Sequence, residues 1–292
     1  MLQHGHPNSV KPQRLVVLGG TGFVGGYLGR LAAEAGWDIA SLGSHDLDLL
    51  SANAASEIEG LLQSNDTVVY ASSIAPAKTA SDILKNAVMT EAFCRGLERA
   101  QVAHLIVISS DAVYSDSASR VNEDSPAAPD TAHGVMHLMR ERMCREASFG
   151  RLAVVRPTAI YGFGDPHNSY GPNRFVRNAQ QSGRIDIFGN GEAIRDHIAV
   201  EDVAEIIFRV AARASVGTVN AVSGDSISFR NLAELVAAGF RNGVTVESVG
   251  SEASPTFRSY DTTVLSRSFQ DWRPRRIGAG VAELVESTSS HQ

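Results

Sequence analysis

A short apolar run, Leu15–Leu18, leads directly into Gly19-Gly20-Thr21-Gly22-Phe23-Val24-Gly25, and a helical pattern follows from Phe23 to Ala35. This strand, glycine turn and helix narrow the choice of folds more than any other stretch. The glycines at 19, 22 and 25 fit the spacing GxxGxxG. Gly19 permits the tight turn, Gly22 lets backbone approach a pyrophosphate, and Gly25 allows close helix–strand packing. Phosphates would then face the helix N-terminus, where unpaired N–H groups and the dipole favour an anion. Glycines also serve ordinary turns, but between a strand and a helix a dinucleotide site is the better reading, with Phe23 and Val24 as part of it.

The rest of the chain repeats the alternation. Strand patterns at Asp38–Leu42, Thr67–Ala71, Leu105–Ser109 and Leu152–Val155 are separated by helical patterns at Ala54–Gln63, Ile83–Ala100 and Ala132–Ala147. Apolar strands alternating with helices predict a parallel sheet covered on both faces, and right-handed crossovers make it doubly wound, of the Rossmann type. Gly217–Ala221 is expected to return to the same sheet. From Gly162 to Pro172 a long loop rich in turn residues precedes a helix through Gln181. Helical patterns at Phe229–Phe240 and Gly278–Ser287 and a strand at Val244–Val249 follow. The expected α/β fold has an NAD(P)-binding domain, 14–161 with 195–222, and a smaller C-terminal substrate-binding lobe, 162–194 with 223–287. Residues 1–13 and 288–292 read as flexible tails.

Composition removes several classes. Lys plus Arg number 26 against 32 acidic residues, a net charge of −6, which suits neither nucleic acid nor an anionic surface. No apolar run approaches the roughly 18 residues of a membrane span, and Met1–Arg14 has no apolar core of a secretory signal. Cys94 and Cys144 both fall in helical patterns and make no disulfide framework, so a reducing cytoplasm is the expected home.

At the end of the second strand, NAD-binding folds place an acid for the ribose. Here Leu42-Gly43-Ser44-His45 comes first and no carboxylate appears until Asp46. That absence removes repulsion against a 2′-phosphate, to which Ser44 and His45 could donate, so NADP is favoured over NAD. Asp48-Leu49 is placed to contact adenine, or Asp48 is a solvated loop residue.

Taken together, these residues resemble the extended short-chain dehydrogenases/reductases of the epimerase/dehydratase type that act on nucleotide sugars. The resemblance runs from about Arg14 to Ser287. It rests on the glycine loop, Ala71-Ser72-Ser73, Asn86, Ser109-Ser110-Asp111-Ala112-Val113-Tyr114, Arg156-Pro157-Thr158-Ala159-Ile160-Tyr161-Gly162, Gly189-Asn190-Gly191, Arg195-Asp196-His197, Val200-Glu201-Asp202-Val203 and Arg258-Ser259-Tyr260-Asp261. It implies that Ser110 is the catalytic hydroxyl, with Asp111 beside the substrate. It also implies that Ala71, Ser72, Ser73 and Asn86 lie by the cofactor, and Pro157, Thr158 and Ala159 by the nicotinamide. Arg195 and Arg258 match positions that clasp the substrate pyrophosphate, a role suited to the planar guanidinium fork. Asn173, Arg174 and Phe188 fall in segments that line the nucleotide pocket, although a solvated Arg174 and a core Phe188 are equally open.

The departure is at the catalytic helix. The family signature Tyr-x-x-x-Lys aligns with His133-Gly134-Val135-Met136-His137, and no Tyr-x-x-x-Lys stands elsewhere in the chain. Residues four apart share a helix face, so both rings are expected in one cleft. An imidazole titrates near neutrality unaided, so His133 could be the acid/base while His137 orients it or holds the nicotinamide ribose. A metal pair with His167 or Cys144 lacks a full ligand set, so no metal is expected. A lost activity with His133 as an ordinary polar residue is the bland alternative. Three functions follow: an NAD(P)-dependent 4-ketoreductase or 4-epimerase on a nucleotide sugar, a dehydratase, or a catalytically diverged regulatory cofactor-binding protein. Dehydratases of this type carry Asp-Glu after the catalytic hydroxyl, and Asp111-Ala112 lacks the Glu. Helices at Ile83–Ala100 and Ala132–Ala147 could pair as a homodimer contact.

Overall fold

The computed structural model describes residues 2–148, 150–251 and 255–289. In chain order the first half runs β1 (Arg14–Leu18), α1 (Phe23–Glu34), β2 (Ile39–Leu42), α2 (Ala54–Leu61), β3 (Asp66–Tyr70), α3 (Ala80–Ala100), β4 (His104–Ile108), β5 (Arg120–Val121), α4 (Ala132–Ala147) and β6 (Leu152–Pro157). The second half adds β7 (Ala159–Tyr161), α5 (Pro172–Ser182), β8 (Arg184–Phe188), β9 (Ile194–Arg195), β10 (His197–Ala199), α6 (Val200–Ala212) and β11 (Gly217–Ala221). It ends with β12 (Ile227–Ser228), α7 (Phe229–Ala238), β13 (Thr245–Val249), β14 (Ser259–Tyr260), α8 (Thr263–Ser268) and α9 (Ile277–Ser289).

A six-stranded sheet of order β11-β6-β4-β3-β1-β2 is parallel throughout. Its strands are apolar on both faces because helices cover both. In β1, Leu15 and Val17 enter one core with Val203, Ile206 and Ile207 of α6, while Val16 and Leu18 enter the other with Ile58, Phe93 and Cys144 of α2, α3 and α4. Each such aliphatic side chain contributes about 1.5–3 kcal/mol through burial. Strand order reverses between β1 and β3, so their carboxyl ends part and leave a crevice there.

A third core lies beyond the sheet. Phe175 and Val176 of α5, Ile185 and Ile187 of β8, Leu232 and Val236 of α7 and Leu284 of α9 pack together, with β8 and β13 paired in parallel. Helix α6 goes unread in the sequence, although its apolar positions Val200, Val203, Ile206, Ile207 and Val210 recur at helical spacing.

The N-terminal segment departs from the expected loose tail. Gln3 and Val216 exchange backbone hydrogen bonds at 2.8 Å, and His4 Nδ1 pairs with Ser215 Oγ at 2.8 Å. At the other end α9 includes residues 288 and 289, and 290–292 lie outside the described residues. No helix among the described residues is long and apolar enough to cross a membrane.

Candidate active site at the carboxyl edge of the sheet

The carboxyl ends of β1, β3, β4 and β6 open into a cleft of about 580 Å³. Its floor is the glycine loop. Gly19 has φ of +86°, and a Cβ there would lie 2.7 Å from the Ser72 nitrogen. A Cβ on Gly25 would fall 2.2 Å from the Gly19 carbonyl oxygen, whereas one on Gly22 would meet only that oxygen, at 3.1 Å. No side chain caps α1 and its first turn carries no acid, so the N–H groups that any helix leaves unpaired there remain for a ligand. These features fit a dinucleotide pyrophosphate. Gly19, Gly22, Phe23, Val24, Gly25, Ala71, Ser73, Pro157, Thr158 and Ala159 all line the cleft.

Other expected cofactor residues stand apart from it. Asn86 is buried and fully bonded: its Oδ1 accepts from Ile74 N at 3.0 Å and its Nδ2 donates to the Ile74 and Asp82 carbonyls. It holds the loop after β3 instead of touching the cleft. The Ser72 carbonyl accepts from Arg140 at 2.8 Å. Ser44, His45 and Asp48 are exposed on the turn after β2, where Asp46 accepts from Gly43 N at 2.8 Å. Leu49 is buried in the core under β1 and β3.

Opposite the glycine loop stands a wall of polar side chains. Ser110 ends the strand–turn junction after β4, and its Oγ accepts from Ala112 N at 3.1 Å. Helix α4 starts at Thr131, whose hydroxyl accepts from Gly134 N at 3.1 Å. Gly134 is required for the approach of this helix, since a Cβ there would sit 2.0 Å from the Ala112 carbonyl oxygen. That contact brings His133 to the same wall as Ser110, and both line the cleft with His137. The two imidazoles stand edge to face, with centroids 4.5 Å apart and planes at 90°. His133 Nδ1 accepts from Ala77 N at 3.4 Å.

Burial, then the charges of Arg140 and His167, push the His133 pKa below its ordinary value. His137 is pushed well below by burial, Arg140 and His133. The sequence expectation of a titration near 6.5 is therefore corrected: both rings are neutral at pH 7, because the interior disfavours their charged form.

Helix α4 is fixed to the sheet by a buried network. Arg156 makes paired hydrogen bonds of 2.8 and 2.6 Å to Glu141, Ser109 donates to Glu141 at 2.5 Å, and Arg156 donates to the Tyr114 hydroxyl at 2.9 Å. Cys94 and Cys144 are free buried thiols between α3 and α4.

The substrate end divides the expected residues. Arg195 lines the cleft, donates to the Ile194 and Thr256 carbonyls at 2.9 Å and to the Thr256 hydroxyl, and has no carboxylate partner among the described residues. Arg258 also lines it but is held by Asp116 at 2.9 Å and Asp111 at 3.6 Å. Asp111 accepts from the Tyr260 hydroxyl at 2.5 Å, and enclosure raises its pKa. Asn173 is buried with both amide atoms on the Gly162 backbone, so it shapes the loop and does not line the pocket. Arg174 stands over the Tyr170 ring at 5.9 Å, and Phe188, about half exposed, packs on Tyr170 outside the cleft.

Sequence reasoning missed Arg140, at helical spacing from His137, and His197, which lines the cleft with both ring nitrogens buried and unpaired and with burial lowering its pKa to about 4. Among the described residues no cluster of three or more His, Cys, Asp or Glu could hold a metal ion.

Fold and cleft define a doubly wound α/β protein whose glycine loop fits a dinucleotide, with a polar wall beside it. The profile of the NAD dependent epimerase/dehydratase family matches residues 15–222, and the chain belongs to that family of NAD-dependent enzymes. It is 27% identical to the dTDP-6-deoxy-L-talose 4-dehydrogenase (NAD(P)(+)) of Kitasatospora kifunensis over 96% of each chain. It is 24% identical to the GDP-6-deoxy-D-talose 4-dehydrogenase of Aggregatibacter actinomycetemcomitans, over 76% of this chain and 79% of that one. Among solved structures, RMD from Pseudomonas aeruginosa complexed with NADPH superposes with a TM-score of 0.83 at 22% identity, covering 96% of this chain and 100% of that one.

Proposed function

We propose that this protein transfers hydride at the 4-carbon of a nucleotide-linked sugar, as a 4-dehydrogenase/ketoreductase or a 4-epimerase. The observation that carries this reading is Ser110 and His133 on one wall, brought together by the contact of Gly134 with Ala112 and faced by the glycine loop. The names of the two relatives, both 4-dehydrogenases of nucleotide-linked deoxysugars, agree with it. A bound nicotinamide would accept or supply the hydride. The chain's own residues do the rest. Ser110 holds the sugar oxygen by a hydrogen bond. His133, neutral at pH 7, takes the hydroxyl proton on oxidation and, once charged, returns one on reduction. Arg195, which lines the cleft and has no carboxylate partner among the described residues, binds the pyrophosphate. Exposed Ser44 and His45, with Asp46 turned back onto Gly43, favour NADP over NAD.

Oxidation should accelerate as pH rises through the His133 midpoint, which lies below 6.5, and reduction should slow through the same value. Small molecules retained by the native protein decide between the two activities by mass spectrometry. Tightly held NAD supports an epimerase, and empty protein that takes up NADPH supports a reductase. Cofactor uptake with no turnover of any nucleotide sugar would replace both with a regulatory protein. The dehydratase reading is weaker because Ala112 brings no carboxylate and Asp111 is engaged by Tyr260 and Arg258. Exposed Leu84 and Val88 on α3 and Val135 on α4 suit a homodimer contact, which light scattering tests.

A further inference from the structure

Arg140 is a buried cation without an anion. It is 1% exposed, stands over the Tyr70 ring at 4.6 Å, and has no carboxylate partner among the described residues. The neighbouring carboxylate, Glu141, has its oxygens taken by Arg156 and Ser109. Arg140 Nη2 donates to the Ser72 carbonyl at 2.8 Å, Nη1 donates to the Ile108 carbonyl at 3.0 Å, and Nε is buried without a partner. The other contact of Nη1 is His137 Nδ1, at 3.3 Å. Burying an unpaired guanidinium is costly, and in the apolar seam of α3, α4 and β3 an apolar side chain would pack without that cost.

We propose that Arg140 is a positioning residue that locks His137 in its neutral Nε2–H form and supplies, one turn along α4, the fixed positive charge absent from position 137. The proposal deepens the reading of His133 as acid/base and rests on it for its catalytic meaning. Arginine has only donors, so a hydrogen bond from Nη1 requires a bare lone pair on His137 Nδ1. The one ring proton must then sit on Nε2. Protonating the ring would set N–H against N–H and two cations 3.3 Å apart. His137 therefore offers the cleft a donor that stays neutral at pH 7, fit for a ribose hydroxyl or for orienting His133. The titratable and charged groups facing His133 are His137, Arg140 and His167, and positive charge on Arg140 or His167 disfavours its imidazolium. The same guanidinium thus fixes one histidine and keeps the other a base.

The test is long-range ¹H–¹⁵N correlation of the ring nitrogens in protein labelled with ¹⁵N-histidine, titrated from neutral into acid pH. The His137 signals are assigned by their loss in His137→Asn. In the wild type His137 should show a protonated Nε2 and a bare Nδ1, with no titration near 6.5. Arg140→Met should mix the two tautomers and raise the midpoint by about one unit, the usual effect of a close charge. Arg140→Lys should keep the wild-type pattern. A wild-type His137 protonated on Nδ1, or titrating as a free histidine, overturns the proposal without any variant and so guards against a misfolded Arg140→Met. An unchanged spectrum in a folded Arg140→Met does the same. None of these readouts needs turnover. A His133→Phe protein of normal rate would remove the acid/base reading while leaving the lock of His137 intact.

Discussion

The two walls of the cleft are built from different material. The cofactor wall is backbone: three glycines, an uncapped helix start and the edge of β3, where a methyl group at Gly25 would collide with the Gly19 carbonyl. The opposite wall is side chain: Ser110, two histidines set edge to face and a buried arginine on the same helix. Backbone geometry admits few solutions, so the first wall has the form the family resemblance implies. A proton-transfer group can be exchanged whenever its neighbours are re-tuned, and the second wall carries His133 and His137 at the positions that the resemblance aligns with Tyr and Lys.

The comparison is sharpest at Gly25. Gly25→Ala should abolish dinucleotide binding, while Gly22→Ala, with its looser 3.1 Å contact, should only weaken it. Titration of reduced cofactor followed by fluorescence checks this, and equal affinities in both variants would break the claim that loop backbone sets the site. On the other wall, His133→Phe should lower turnover by about 10²–10⁴-fold with cofactor affinity nearly unchanged. Wild-type turnover would return the proton to another donor. Next in size, Arg195→Ala should weaken nucleotide-sugar binding by about 1.5–3 kcal/mol, the loss of one charged hydrogen bond. Calorimetry measures it, and unchanged affinity would move the pyrophosphate elsewhere.

A last expected effect is on stability, away from the chemistry. The pKa values of His104 and His197 fall to about 4 in the folded chain, by burial, against 6.5 when unfolded. Between those values the unfolded state binds more protons, so stability is full above 6.5 and declines as pH drops toward 4. Each such histidine removes about 1.4 kcal/mol per pH unit in that window. Melting curves at stepped pH should show the decline, and His104→Asn should flatten it. A melting temperature constant from neutral pH to 5 would contradict the burial of neutral rings.

The doubly wound sheet was legible because its strands are short apolar runs whose two faces are both buried, and helix α4 emerged with the bounds expected of it. Gly217–Ala221 returned to the sheet edge for the same reason. Helix α6 carries an equally plain spacing, but its first turn coincides with the Val200-Glu201-Asp202-Val203 motif, which masks the helical period. Site residues were harder. Asn86, Asn173 and Leu49 sit in the expected segments, yet their side chains serve loops and core, and a one-dimensional pattern does not distinguish a polar group facing a ligand from one facing backbone. Arg140 escaped because its meaning depends on carbonyls from β4 and the loop after β3, which only folding brings beneath α4.

The strap formed by the first residues also bears on how this chain behaves in a crowd. Strand β11 ends the sheet and so presents an unpaired backbone edge, the usual template for strand addition between molecules. Gln3 closes that edge at Val216, and Glu123 occupies the Asn220 N–H at 2.8 Å. Both ends of the template are thereby blocked, one by main chain and one by a carboxylate that an incoming strand would have to displace. The segment that reads as a loose tail in sequence thus covers part of this edge, and a chain shortened past residue 10 should stay folded yet lose solubility.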